Sequence, residues 1–460
     1  MTQRFHVRTY GCQLNENDSE RIAGLLTAQG MEPTDDLEVA DVIVLNTCCI
    51  RENADNRLYG HLGDLKALKA RRPELQIAVG GCLAQKDRDV VLQRAGHVDV
   101  VFGTHNLGRA GELLDQARRD GPIVEILEEH DADPTLLPAR RDTRHSAWVT
   151  IQIGCDNSCT FCIVPIVRGT EISRRLGDVV HEVEELAADG VSEITLLGQN
   201  VNSYGRDLGA GQYRPRFADL LRELSAVDGI RRVRFTSPHP KDLRPETIEA
   251  MAKCDAVCEH LHLPLQAGSD RTLARMHRGY TAERYLARLE AARTGIPDLA
   301  VTTDIIVGFP GETDADFERT LEVVDEAEYD AAYTFVFSPR PGTPAAEMTD
   351  DFVAAEVSKD RMRRLTEVVE RHGLTRHEAR VGRIEEVLVE GPSKTDPTRR
   401  SGRTRQNKLV HFESDAESAP SGSYAHVEIT HGAPHWLAGA LVQPASASRR
   451  TRVRIPVSVA

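Results

Sequence analysis

From Phe5 to about Arg119, short apolar runs alternate with amphipathic ones: FHVRTY, SERIAGLLTAQG at helical spacing, DVIVLN, a helical RLYGHLGDLKALKA, QIAVGG and VDVVFG. This is the strand–helix–strand rhythm of a parallel sheet. The stretch EEHDADPTLLPARRDTRH has no periodicity and reads as a linker, placed at 121–144 after a first domain at 1–120. A second alternation runs through AWVTIQI, EITLLG, RRVRFTS, EHLHLP, LAVTTDIIVG and AAYTFVF, with helical segments such as DVVHEVEELAADG between them. Six such units predict a parallel sheet curled into a partial (β/α)6 barrel over 145–378, ending in a long charged helix from about Asp351 to Arg380. Then the rhythm changes to EEVLVEG, NKLVHFE, AHVEITHG and WLAGALV, the short strands of a small β-barrel at 379–446, followed by a basic tail at 447–460 without structure-forming signal. The fold class is therefore α/β with a small terminal β-barrel.

Composition narrows the chemistry. Fifty-seven Lys and Arg against 71 Asp and Glu give a net charge of -14. Such a surface does not hold polyanions everywhere, so any nucleic-acid contact has to be a local basic patch. No apolar run approaches the eighteen or so residues of a membrane span, and the start MTQRFHVRTYGC lacks a signal pattern. The expectation is a cytoplasmic protein with no membrane partner, whose nine cysteines are reduced and serve as ligands, catalysts or core residues.

Cys155, Cys159 and Cys162 form CDNSCTFC directly after the strand AWVTIQI. Three thiolates on such a loop can hold three irons of a four-iron cluster and leave the fourth open to a small molecule. The alternative is a zinc ribbon, but such sites pair two Cys-x-x-Cys knuckles and no second knuckle follows at suitable spacing. In the first domain Cys12 follows FHVRTYG, Cys48 follows DVIVLNT and Cys82 follows QIAVGG. Each lies just past the carboxyl end of a predicted parallel strand, the edge where ligands gather, so a second three-cysteine site is expected; three separate core cysteines is the competing reading. Cys49 is expected to point elsewhere, and Cys254 and Cys258 to lie one turn apart on a helix; none of the three is given a ligand role. Polar residues recur at the strand ends of the second domain: Gln199, Asn200, Ser237, His239, Gln266 and Asp304, the last followed by GFPGE. They are candidates to line a cavity at one rim, each with a competing role as a turn or cap.

The C-x3-C-x2-C motif resembles the radical S-adenosylmethionine superfamily. Taken with TYGCQLNENDSE, LNTCCIRENA, GGCLAQ, CDNSCTFCIVPIVRGTEISR and IIVGFPGET, nearly the whole chain resembles the methylthiotransferase family, and Gln13 in GCQLN and GRTRQNKLV resemble its branch acting on transfer RNA that carries dimethylallyladenosine. The resemblance implies two [4Fe-4S] clusters, on Cys12, Cys48, Cys82 and on Cys155, Cys159, Cys162, the latter set catalytic. It implies S-adenosylmethionine bound at the second with Phe161 and the rim residues as candidate contacts, an external reductant protein, and a terminal RNA-binding barrel called TRAM. The implied reaction replaces hydrogen at C2 of the adenine at position 37, next to the anticodon, by a methylthio group through a 5′-deoxyadenosyl radical. Cys49, where the family more often has another small residue, is a departure. A ribosomal-protein side chain is the alternative substrate, and a non-catalytic zinc and RNA-binding protein the alternative class.

Between Gly391 and His411 stand six basic residues, Lys394, Arg399, Arg400, Arg403, Arg405 and Lys408, against one Asp. They are the expected phosphate contacts, with an ordinary solvated loop as the bland alternative. Phe412, Tyr424 and Trp436 read as barrel core before base-stacking groups. Arg168 and Arg174, just past the cluster loop, are further candidates near a base drawn out of its stack.

Overall fold

In the computed structural model, which describes residues 2–49, 52–129, 137–209 and 214–446, the chain opens with a parallel sheet. Its strands are β1 (Arg4–Tyr10), β2 (Glu32–Pro33), β3 (Val42–Thr47), β4 (Gln76–Gly81), β5 (Val100–Phe102) and β6 (Ile123–Glu125), in the order β2-β1-β3-β4-β5-β6. Period-two alternation explains its two covers. Ile43, Leu45, Ile77 and Val79 meet Leu58, Leu62 and Leu65 of the helix Glu52–Arg71 on one face. Val42, Val44 and Ala78 meet Ile22 and Leu26 of the helix Gln13–Ala28, and Leu113 and Leu114 of the helix Ala110–Asp120, on the other. β6 falls inside the expected linker: three residues are too few to show a period, but they extend the sheet beside β5. Residues 130–136 of that linker lie outside the described residues. Beyond them the chain packs back, with Arg140 N donating to Glu20 O at 2.8 Å.

The second unit holds β7 (Ser146–Thr150), a small antiparallel pair β8 (Gln152–Ile153) and β9 (Ile172–Ser173), then β10 (Glu193–Leu197), β11 (Arg232–Phe235), β12 (His260–His262), β13 (Ala300–Val307) and β14 (Ala331–Val336). β7, β10 and β11 pair in parallel, as do β12, β13 and β14. The two halves are joined where Val233 N donates to Ala256 O at 2.7 Å and Cys258 N to Val233 O at 3.0 Å. Six parallel strands thus follow one another in chain order as the expected open barrel. That junction corrects the reading of Cys254 and Cys258. The helix Pro245–Lys253 stops before both, because residues 256–258 are used to pair with β11.

After the helix Ala355–Glu378, five strands close a barrel in the order β15-β16-β17-β19-β18: β15 (Ile384–Pro392), β16 (Arg399–Arg403), β17 (Leu409–Glu413), β18 (Tyr424–Ala433) and β19 (Trp436–Ser446). Alternation is clear in β18, where Ala425, Val427 and Ile429 face a core with Val387, Val410, Phe412 and Leu437 while His426 and Glu428 face out. The turn from β16 to β17 seats against the amino ends of the open barrel's strands. Arg234 donates to Thr404 O and Arg405 O at 2.8 and 2.9 Å, and Arg232 to Arg403 O at 2.8 Å. Arg405 reaches Glu259 at 2.8 Å, Gln406 reaches Asp298 at 3.0 Å and Lys408 reaches Asp330 at 2.6 Å. The tail 447–460 lies outside the described residues.

Candidate active site with two thiol sets

β1, β3 and β4 are neighbours, and their ends are level: Tyr10 pairs with Thr47 and Thr47 with Gly81. The chain therefore delivers Cys12, Cys48 and Cys82 to adjacent positions along one edge. Cys48 N is tied to Tyr10 O at 2.7 Å, and Cys12 and Cys82 begin helices. Gly81 has φ of 92°, and a Cβ there would stand 2.2 Å from Asn46 Oδ1, so only glycine makes this turn. Cys12 Sγ donates to Asn15 Oδ1 at 3.4 Å, and Arg168 Nε donates to Cys82 Sγ at 3.3 Å. A hydrogen bond from Cys48, with help from the Arg168 charge, pulls the Cys12 thiol down to about 6. A hydrogen bond from Cys49 and the same arginine pull Cys82 down to about 7. Cys49 is fully buried and held well up by that bond and by burial; it does not point away from the set as expected, but touches Cys82. A lowered thiol in a positive surrounding is the form that binds iron.

The second set follows β8. Gly154, with φ of 76°, starts the loop where a Cβ would meet Thr170 O at 1.9 Å. Cys155 N bonds Gly169 O at 3.1 Å, Thr160 N bonds Met276 O at 3.1 Å, and Cys162 N bonds Cys159 O at 3.0 Å, so the loop is fixed by backbone at three points. Asn157 Nδ2 donates to Cys155 Sγ and Arg278 Nη1 to Cys159 Sγ, both at 3.4 Å. Burial pushes Cys155 up and Cys162 up to about 12, so these thiols keep their protons until a bound metal displaces them. Among the described residues no three His, Cys, Asp or Glu side chains form a ready-made single-ion site.

Gln199 and Asn200 follow the end of β10, Ser237 and His239 that of β11, and Gln266 that of β12, whereas Asp304 lies within β13, paired with Tyr333, and not after its end as expected. Ser237 and Gln266 both take left-handed φ, 59° and 69°, a conformation that costs energy and that clusters at functional sites. Both side-chain polar atoms of Gln199, Oδ1 of Asn200 and Oε1 of Gln152 are buried without a protein partner. Unsatisfied buried polar groups fit a polar cofactor that would complete them. His239 is neutral, driven down to about 2 by burial and by Arg278 and Lys241, and stands edge-on to Tyr280 at 5.8 Å. Asp304 is 3.5 Å from His262 Nε2, and Phe161 packs edge-on against Phe309 at 6.5 Å. GFPGE is a structural turn: Glu312 accepts from Gly308 N at 2.7 Å and pairs with buried Arg361 at 2.8 Å. Arg278, Tyr280 and Lys241 were missed from sequence, where MHRGY and PHPKD carried no periodic or spacing signal.

The basic residues divide. Arg168 and Arg174 are buried, and Arg174 is spent on Thr150 O and Glu182. Arg405 and Lys408 dock the terminal barrel on the core. Arg400 is buried and donates to Ser421 at 3.0 Å. Lys394 is exposed, and Arg399 and Arg403 are 40% exposed in pairs with Asp396 and Glu390 that water screens. Phe412 and Tyr424 are buried, whereas Trp436 is half-buried outside the apolar cluster, flanked by His411 and His431 at 5.9 and 5.6 Å.

An open parallel barrel carrying C-x3-C-x2-C after its first strands defines a radical S-adenosylmethionine enzyme, and residues 149–324 match the Radical SAM superfamily. Residues 4–103 match an uncharacterized protein family, UPF0004, and 378–442 the TRAM domain. Full-length similarity reaches tRNA-2-methylthio-N(6)-dimethylallyladenosine synthases: 52% identity in Streptomyces viridosporus over 98% of this chain and 89% of the relative, and 53% in Parafrankia sp. over 97% and 91%. The chain belongs to that family of transferases, which work with iron–sulfur clusters and S-adenosylmethionine. Solved structures share the fold: the methyltransferase TsrM from Kitasatospora setae at TM-score 0.54 and 14% identity, covering 75% of this chain and 77% of that one, and OxsB at 0.52 and 12%, covering 81% and 56%. No helix among the described residues is long and apolar enough to cross a membrane.

Proposed function

We propose that this chain methylthiolates C2 of N6-dimethylallyladenosine at position 37 of tRNA, giving 2-methylthio-N6-dimethylallyladenosine. Cys155, Cys159 and Cys162 hold the cluster that binds S-adenosylmethionine, and Cys12, Cys48 and Cys82 hold a second. The reading is carried by two three-thiol sets at the carboxyl edges of two parallel sheets, in a chain akin over nearly its full length to synthases of that name. When bound, cluster and S-adenosylmethionine supply a radical able to attack a carbon–hydrogen bond that is neither acidic nor activated. The protein's own part is placement. Gln152, Gln199 and Asn200 would offer their unpaired polar atoms to the cofactor, and His239, its pKa driven down by burial, would add no charge to a cationic ligand. Lys394, Arg399 and Arg403 take phosphates of the RNA, and Trp436 offers a face to a base. An external reductant protein supplies electrons, and the work is cytoplasmic.

The test is nucleoside mass spectrometry after anaerobic incubation of reconstituted enzyme, reductant and S-adenosylmethionine with tRNA that is unmodified or dimethylallylated. Methylthio product on the dimethylallylated tRNA alone is expected. Formation of 5′-deoxyadenosine with no changed nucleoside would move the substrate to a ribosomal-protein side chain.

A further inference from the structure

Arg168 ends the short helix that follows the second cysteine loop, yet its guanidinium crosses into the first unit. It is 6% exposed, donates from Nε to Cys82 Sγ at 3.3 Å, and pairs through Nη2 with Asp18 at 2.6 Å. Asp18 lies on the helix that Cys12 begins. A thiol, a guanidinium and a carboxylate thus meet across the boundary between the two units, largely shielded from solvent, where water screens charges less.

We propose that Arg168 and Asp18 set the electron affinity of the cluster held by Cys12, Cys48 and Cys82, as opposed positioning residues reaching it through Cys82. This rests on the reading of those three cysteines as cluster ligands. A reduced cluster carries one more negative charge than its oxidised form, part of it on the sulfurs, so a cation donating a hydrogen bond to a ligand sulfur favours the reduced form. Asp18 partly cancels that cation. The two substitutions therefore move the potential in opposite directions, which mere loss of packing does not do.

The test uses the full-length chain with Cys155, Cys159 and Cys162 changed to Ala, so that one cluster remains, titrated anaerobically by visible absorption and electron paramagnetic resonance. Arg168→Gln is expected to cut the reduced-to-oxidised ratio at fixed potential about tenfold, a midpoint about 59 mV lower for one electron. Asp18→Asn is expected to raise the midpoint. Shifts of both in one direction, or none in either with iron and sulfide intact, overturn the proposal. Should Arg168→Gln hold no cluster, Asp18→Asn decides: a higher midpoint supports the assignment, and an unchanged or lower one ends it. Absence of any cluster in the parent triple variant removes the reading of the three thiols itself, and the proposal with it.

Discussion

Lys408 and Lys394 come from one basic stretch but have opposite predicted consequences. Lys408 has 4% of its side chain exposed and meets Asp330, itself 11% exposed, at 2.6 Å. Burial lowers the lysine's pKa and Asp330 opposes that shift, so the ammonium is kept for its partner. Lys408→Met strands the carboxylate; breaking one side of a buried pair costs about 3–5 kcal/mol. Asp330 keeps its bond from Val301 N at 2.8 Å, which favours the lower end. Three kcal/mol corresponds to about a 100-fold larger opened fraction at the joint between core and terminal barrel. Hydrogen exchange of the β14 and β17 amides reads it directly, and adding Asp330→Asn should return part of the loss. Lys394→Ala, on an exposed loop, should leave exchange unchanged and lower the slope of log tRNA affinity against log salt by up to about 1. A Lys408→Met chain with native exchange and a reduced salt slope would refute the docking role.

Three other outcomes are expected. Cys159→Ala should abolish 5′-deoxyadenosine formation, while Cys82→Ala should retain it and lose the methylthio product; chromatography of both products separates the two sites. Gly81→Ala puts a Cβ against Asn46 at a left-handed turn, at a cost of ~1–3 kcal/mol, and should lose the iron of the N-terminal site while keeping that of the core. His377, 4% exposed on the helix Ala355–Glu378, is driven down to about 4 by burial. The unfolded chain then binds the extra proton between about pH 6.5 and 4, so His377 subtracts stability as pH falls through that window, by up to about tenfold in the folding constant per unit. Denaturant titrations should show a shallower pH slope for His377→Gln than for the unaltered chain.

Much of this was legible because it is repetitive. Strand–helix repeats fix where a parallel strand ends, so Cys12, Cys48 and Cys82 could be put on one edge without knowing any side-chain contact. The level ends at Tyr10, Thr47 and Gly81 are the physical reason that worked. Position within a repeat does not give direction, however, and Cys49, adjacent to Cys48, turned inward onto Cys82. Charge was less informative still. Lys394 and Lys408 look alike in sequence because the carboxylate that claims Lys408 lies in another unit, 78 residues away along the chain. Arg168 was read as an RNA contact for the same reason: its partners Asp18 and Cys82 precede it by a whole domain. β6 escaped because three residues show no period, and residues 256–258 because they pair by a single bridge.

The seating of the β16–β17 turn against the amino ends of the open barrel makes the molecule a gauge. Arg232, Arg234, Glu259, Asp298 and Asp330 all bond the turn, so an RNA resting on Lys394 and Arg399, as proposed above, would be held at a set span from the thiols at the opposite rim. Which nucleotide arrives at the rim then depends on the shape of the folded RNA between those two points. Selection by length needs no side chain that reads the neighbouring bases, and a nucleotide inserted into the intervening loop would carry the target past the chemistry.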